Sequence, residues 1–166
     1  MAVAKNYFKL LAYKDEYEVA RLYTDGRFVE QLQQQFDGNF SVKFNLAPPL
    51  FARKDVKGHL VKAEFGSWMW KAFALLAKFK GVRGGAFDLF GYTAERKMER
   101  ALIVEYREMV GVMLDQLTAD NHAVAVQLAA LPEQVRGFGH VKHAAVTVFR
   151  AEKARLLAQL AQQHAA

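Results

Sequence analysis

Apolar positions recur along this chain in two periods, and the switches between them mark its elements. Over residues 4–23, Tyr7, Leu10, Leu11, Tyr17, Val19, Ala20, Leu22 and Tyr23 fall at mostly three-and-four spacing with charges in the gaps, which predicts one amphipathic helix. Asp25-Gly26 is a turn and cap signal, and FVEQLQQQF after it predicts a short second helix ending at Asp37-Gly38. The period then drops to two. FSVKFNL puts Phe40, Val42, Phe44 and Leu46 on one side, Pro48-Pro49 ends that strand, and HLVKAEF supplies an antiparallel partner. A ribbon of strands 40–46 and 60–65 is marginal alone and must lie on helices.

The second half returns to the helical period. Ser67 is a good N-cap for SWMWKAFALLAKFK, a helix over 67–80 that is apolar almost all round, carries Lys71 and Lys78 two turns apart and closes at Gly81. Such a helix belongs deep in a core or under something outside this chain. GVRGGAFDLFGY reads as a loop that packs by its own side chains. Thr93 opens the longest helix, with Met98, Leu102, Tyr106, Met109, Met113 and Leu117 as its buried stripe. Gly111 within it costs about 1 kcal/mol against alanine and marks a close helix approach. Helices over 118–131 and 141–163 complete the chain. The fold class expected is mainly α, a helical bundle with a small antiparallel β-ribbon within 40–65, and 166 residues fit a single domain.

Charge changes this picture in one place. The formal net charge is +6, yet residues 41–83 hold nine basic residues (Lys43, Arg53, Lys54, Lys57, Lys62, Lys71, Lys78, Lys80 and Arg83) against Asp55 and Glu64 alone. The rest of the chain is close to neutral. These cations interleave with Phe44, Phe51, Phe65, Trp68, Trp70, Phe73 and Phe79, a mixture that could stack single-stranded nucleic acid. Most of those aromatics sit where the strand and helix periods need core residues, so the better reading is a docking face for an acidic protein or another domain, with Arg53, Lys54, Lys57, Lys71 and Lys78 as its contacts. A basic module for nucleic acid is the rival, and a merely solvated face is the bland alternative.

Other chemistry is sparse. With no cysteine there are no disulfides, thiolate zinc sites, cysteine nucleophiles or clusters ligated by this chain. His59, His122, His140, His143 and His164 form neither His-Glu-x-x-His nor Glu-x-x-His, so no metal site and no catalytic residue is assigned. Glu95 with Glu99, and Glu105 with Glu108, are explained by pairing one turn away with Arg96, Arg100 or Arg107. No Walker loop occurs. In LPEQVRGFGHVK, Lys142 stands where a dinucleotide fingerprint has its third glycine, which leaves two readings. Arg136, the Gly139 and His140 amides and Lys142 could hold an anion at a helix N-terminus, or the glycines could simply turn a corner while Arg136 caps a carbonyl. No secretory signal or apolar run long enough to span a bilayer is visible, so a cytoplasmic location without membrane contact is expected.

The blocks NLAPPLFARKD, KAEFGSWMWKAF, FDLFGYTAERKMERALIVEYR and LPEQVRGFGHVK, in that order over essentially the whole chain, resemble the C-terminal region of indolepyruvate ferredoxin oxidoreductase-like enzymes. The resemblance implies a much larger parent polypeptide, with Met1 an added start. That parent oxidatively decarboxylates aryl 2-oxo acids to acyl-CoA with thiamine diphosphate, magnesium, 4Fe-4S clusters and coenzyme A, and passes electrons to ferredoxin. It places those cofactors in other domains and leaves this chain an accessory role, in interdomain assembly or in contact with an anion such as a coenzyme A phosphate. The implied partners are the parent's other domains and ferredoxin.

Overall fold

The computed structural model describes residues 1–47, 53, 56 and 61–165. Among these it contains α1 (Ala2–Leu11), α2 (Glu16–Thr24), α3 (Arg27–Gln35), β1 (Phe44–Leu46), β2 (Ala63–Phe65), α4 (Met69–Lys78), α5 (Ala94–Gln116), α6 (His122–Ala130) and α7 (His140–His164), with 3-10 turns at Phe79–Val82 and Leu131–Gln134. The fold is mainly α with one two-stranded antiparallel sheet. Two compact units share the chain: Met1–Tyr13 with Lys97–Ala166, and Lys14–Arg96.

The single helix expected over 4–23 is two helices. Asp15 accepts a hydrogen bond from the Glu18 amide (2.8 Å) and so starts α2 afresh. Gly26, at φ +91°, then makes the corner into α3, as the Asp-Gly signal suggests. The ribbon is shorter than alternation implied, pairing Phe44 with Phe65 and Leu46 with Ala63. Phe40 lies outside it, exposed beside Phe36, and Leu60 lies outside the described residues. Phe44 joins Ala20 of α2 and Phe73 of α4 in a small core, where Tyr23 stacks on Phe73 and meets Phe44 edge-on. Ser67 does not cap α4. It sits in the preceding turn, and Trp68 occupies the cap position without a side-chain bond.

In the other unit the α5 stripe is as expected for Leu102, Tyr106, Met109 and Met113, while Met98 is half-buried and Leu117 exposed. It packs with Leu10, Val124, Leu128, Val146, Phe149, Leu156 and Leu160. Tyr106 is fully buried, stacks on Tyr7 and donates its hydroxyl to the Ala129 carbonyl (2.9 Å). Gly111 marks no close approach among the described residues, because a Cβ there would meet none of them within 4 Å. The helix expected from 118 begins only at His122. Thr118 and Asn121 bond each other through backbone amide and side chain, and Asn121 donates to the Gln116 carbonyl (2.7 Å), closing α5 before α6 starts. The acidic pairs of α5 also find partners across helices. Glu99 pairs with Lys142, Glu105 with Arg150 and Lys153, while Arg96 reaches Glu16 of α2. These cross-helix partners come in addition to the pairing one turn away that the spacing suggests, and they place Glu99 and Glu105 between helices rather than on an open helix surface.

Candidate docking site

Helix α4 forms because MWKAFALLAK has no breaker and mostly strong helix formers. Its inner face, Met69, Trp70, Phe73, Leu76 and Ala77, packs on the Ala20, Phe44 and Phe73 core. The apolar residues left over form a second face. Trp68 and Leu75 are each 60% exposed and Phe79 is 51% exposed, which is too much for core residues. Lys71 and Lys78 are exposed between and beside them. Among the described residues no carboxylate pairs with Lys62, Lys71, Lys78 or Lys80, whereas Lys43 pairs with Glu64 (2.9 Å) and Arg83 with Asp15. One face of the helix is therefore core, as the first alternative read from the sequence has it, and the other is left open. Arg53 is exposed, its carbonyl accepting from the Val61 amide (2.8 Å). Lys54 and Lys57 lie outside the described residues.

After α4 the loop 83–93 is braced from within, as its composition suggested. Asp88 is buried and accepts from the Gly84 amide (2.8 Å) and the Gly91 amide (2.9 Å), and the Tyr92 hydroxyl donates to the Ala86 carbonyl (3.0 Å). Phe90 meets Tyr17 edge-on at 5.4 Å. Burial, then the adjacent Asp88 carboxylate, push the Tyr17 phenol above its usual range. Phe87, Leu89 and Tyr92 point outward and exposed. The loop's aromatics already look exposed in the sequence, and the apolar excess of the helix over 67–80 is visible there too, but which of its residues form the outer face, Trp68, Leu75 and Phe79, was not anticipated. The available signal was the spacing of seven and then four residues, offset from the inner stripe.

The corner 135–140 favours the turn reading. Gly137 and Gly139 take φ +88° and +55°, and Arg136 Nε donates to the Glu133 carbonyl (2.9 Å). Lys142 is engaged with buried Glu99, and Gly139 and His140 start α7. Lys9 donates to the Pro132 and Glu133 carbonyls (2.6 and 3.1 Å), and burial, followed by the nearby Arg136 guanidinium, holds its ammonium below the usual lysine range. The corner is rich in cations, but carbonyls and carboxylates already engage Lys9, Arg136 and Lys142.

Thiamine diphosphate with its magnesium, and iron–sulfur clusters, need convergent carboxylate or thiolate ligands. The chain has no cysteine, and no three or more His, Cys, Asp or Glu residues stand together as a metal site among the described residues. Without a cysteine the chain supplies no thiolate for an iron–sulfur cluster. No helix among the described residues is long and apolar enough to cross a membrane.

Fold and site together define a mainly helical protein with an open face that is both apolar and basic. Residues 1–155 match the family of unknown function DUF6537, and the chain belongs to that family. No curated protein and no solved structure matches the chain.

Proposed function

We propose that this chain is an accessory region of a thiamine-dependent 2-oxoacid:ferredoxin oxidoreductase of the indolepyruvate type, acting in the cytoplasm, and that it contributes docking rather than redox chemistry. The four sequence blocks carry the assignment to that enzyme class. The observation that carries the role is the open α4 face, where Lys71 and Lys78 stand without a carboxylate partner among the described residues, beside exposed Trp68, Leu75 and Phe79. The other domains of the parent polypeptide, or an acidic electron carrier such as ferredoxin, are the partners that suit it. A coenzyme A contact at Arg136, Gly139, His140 and Lys142 is the weaker reading, because Arg136 and Lys142 already have partners.

Such a reaction needs a cofactor to hold the carbanion and clusters to take single electrons. The decisive experiment deletes this region from the full polypeptide and measures indolepyruvate-dependent ferredoxin reduction. Loss of activity or assembly is expected. Unchanged activity, or turnover by the 166-residue chain alone with thiamine diphosphate and coenzyme A, would overturn the proposal. Salt-sensitive retention of oligonucleotides, lost on replacing Lys71 and Lys78, would favour the nucleic-acid reading instead.

A further inference from the structure

At about 100° per residue, Trp68, Leu75 and Phe79 fall within about 40° of one another around α4, and Lys71 and Lys78 lie about 60–80° from Trp68 on one side only. The stripe runs about 16 Å, roughly three helical turns. Between Gly66 and Gly91 the one acidic residue is Asp88, whose carboxylate is buried and bonded to amides within its loop. The face therefore presents large apolar anchors and positive charge, with no carboxylate among its own residues.

We propose that Trp68, Leu75 and Phe79, flanked by Lys71 and Lys78, seat an acidic amphipathic helix of a partner protein. The inference rests on the docking reading above and names the chemistry that the docking face receives. An apolar row three turns long matches the i, i+3, i+7 anchors of a helix laid along it, and a single cationic edge asks for a single acidic edge on that helix. Charge argues against segment 48–60 of this chain as the occupant, since Arg53, Lys54 and Lys57 against Asp55 make it positive too. A membrane surface suits the face less well, because a helix lying among headgroups places cations along both edges of its apolar face. Nucleic acid suits it less well again, because Leu75 at the centre of the row offers no ring for a base to stack on.

The test uses the whole chain and a labelled synthetic peptide of about 18 residues, with leucines on one helical face and glutamates along one edge. Its counterpart carries lysine for each glutamate. Fluorescence anisotropy should show saturable binding of the acidic peptide, weakened about tenfold or more by Leu75→Asp and several-fold by Lys71→Glu with Lys78→Glu. These side chains are exposed, so the far-UV spectrum should not change; if Leu75→Asp disturbs it, Phe79→Ser reads the same stripe. The lysine peptide should bind at least about tenfold more weakly. Equal binding of the two peptides, indifference to the substitutions, or no binding up to about 1 mM peptide overturns the inference. Binding to phosphatidylserine vesicles or to a single-stranded oligonucleotide in place of the acidic peptide also overturns it. Peptide binding alongside an unaffected deletion mutant of the parent would sink only the parent assignment. A crippled deletion mutant without peptide binding would sink only this inference.

Discussion

Replacing Tyr106 with phenylalanine should destabilise the protein at neutral pH and stabilise it, relative to the native chain, in strong alkali. The ring is fully buried and its hydroxyl donates to the Ala129 carbonyl at 2.9 Å. Losing that bond leaves a buried acceptor unsatisfied, a cost of about 1–2 kcal/mol at pH 7. Burial also pushes the Tyr106 phenol up to about 12 from an ordinary value of 10.0. The sign follows from proton binding: between the two values the unfolded chain releases this proton and the folded chain keeps it. Native stability therefore falls as pH rises through 10, by about 1.4 kcal/mol at pH 11 and about 2–3 kcal/mol by pH 12. Tyr106→Phe lacks this loss, so its deficit should vanish and reverse at about pH 11. Other tyrosines and lysines titrate here too, so the measurement is the difference between native and variant urea midpoints at matched pH. A difference that stays constant from pH 8 to about pH 12 would refute both the burial argument and the raised phenol.

Two glycines should respond in opposite directions to alanine. Gly111 has nothing within 4 Å of an added Cβ and lies inside α5, so Gly111→Ala should raise stability by about 1 kcal/mol, measured by urea denaturation. Gly137 has φ +88°, and an added Cβ would sit 2.6 Å from Val141 Cγ1, so Gly137→Ala should cost about 1–3 kcal/mol by the same assay. In the core, Phe149→Ala should cost about 3–5 kcal/mol, while Val148→Ala, on the exposed side of α7, should change stability by less than about 0.5 kcal/mol.

What the sequence made legible was periodic. The α5 stripe through Leu102, Tyr106, Met109 and Met113, and a period-two strand ending at Leu46, follow from apolar spacing alone, although the alternation begins that strand at Phe40 and the structure begins it at Phe44. What it obscured were features that interrupt or duplicate a period. Residues 12–14 carry no glycine or proline, so the break before α2 is visible only as Asp15 standing three residues before Glu18. The α5 carboxylates pair across helices, which no spacing along one helix can display. In α4 the inner and outer faces use the same kinds of residue, Trp, Phe and Leu, so composition could not separate core from surface. Lys71 and Lys78 stood out from charge alone, and their apolar neighbours emerged only once one face was filled.

The two components of the α4 face should act on different rate constants. An exposed ion pair contributes about 0.2–1 kcal/mol, so Lys71 and Lys78 together fall well short of holding a partner at micromolar affinity, which takes about 8 kcal/mol. The exposed parts of Trp68, Leu75 and Phe79 must supply most of that holding energy, since aromatic and aliphatic anchors carry the largest share at interfaces. The lysines instead act at a distance, within a Debye length of about 8 Å at physiological salt, by orienting an acidic partner before contact. In the unit formed by Met1–Tyr13 and Lys97–Ala166, by contrast, Lys5, Lys142, Arg150, Lys153 and Arg155 already face carboxylates. Stopped-flow binding of the acidic peptide should therefore show Lys71→Glu with Lys78→Glu slowing association and flattening its salt dependence, with dissociation changed little. Leu75→Asp should chiefly speed dissociation. The opposite partition, with the lysines governing dissociation, would mean that the ammonium groups are buried at the contact, and the apolar stripe would lose its place as the anchor.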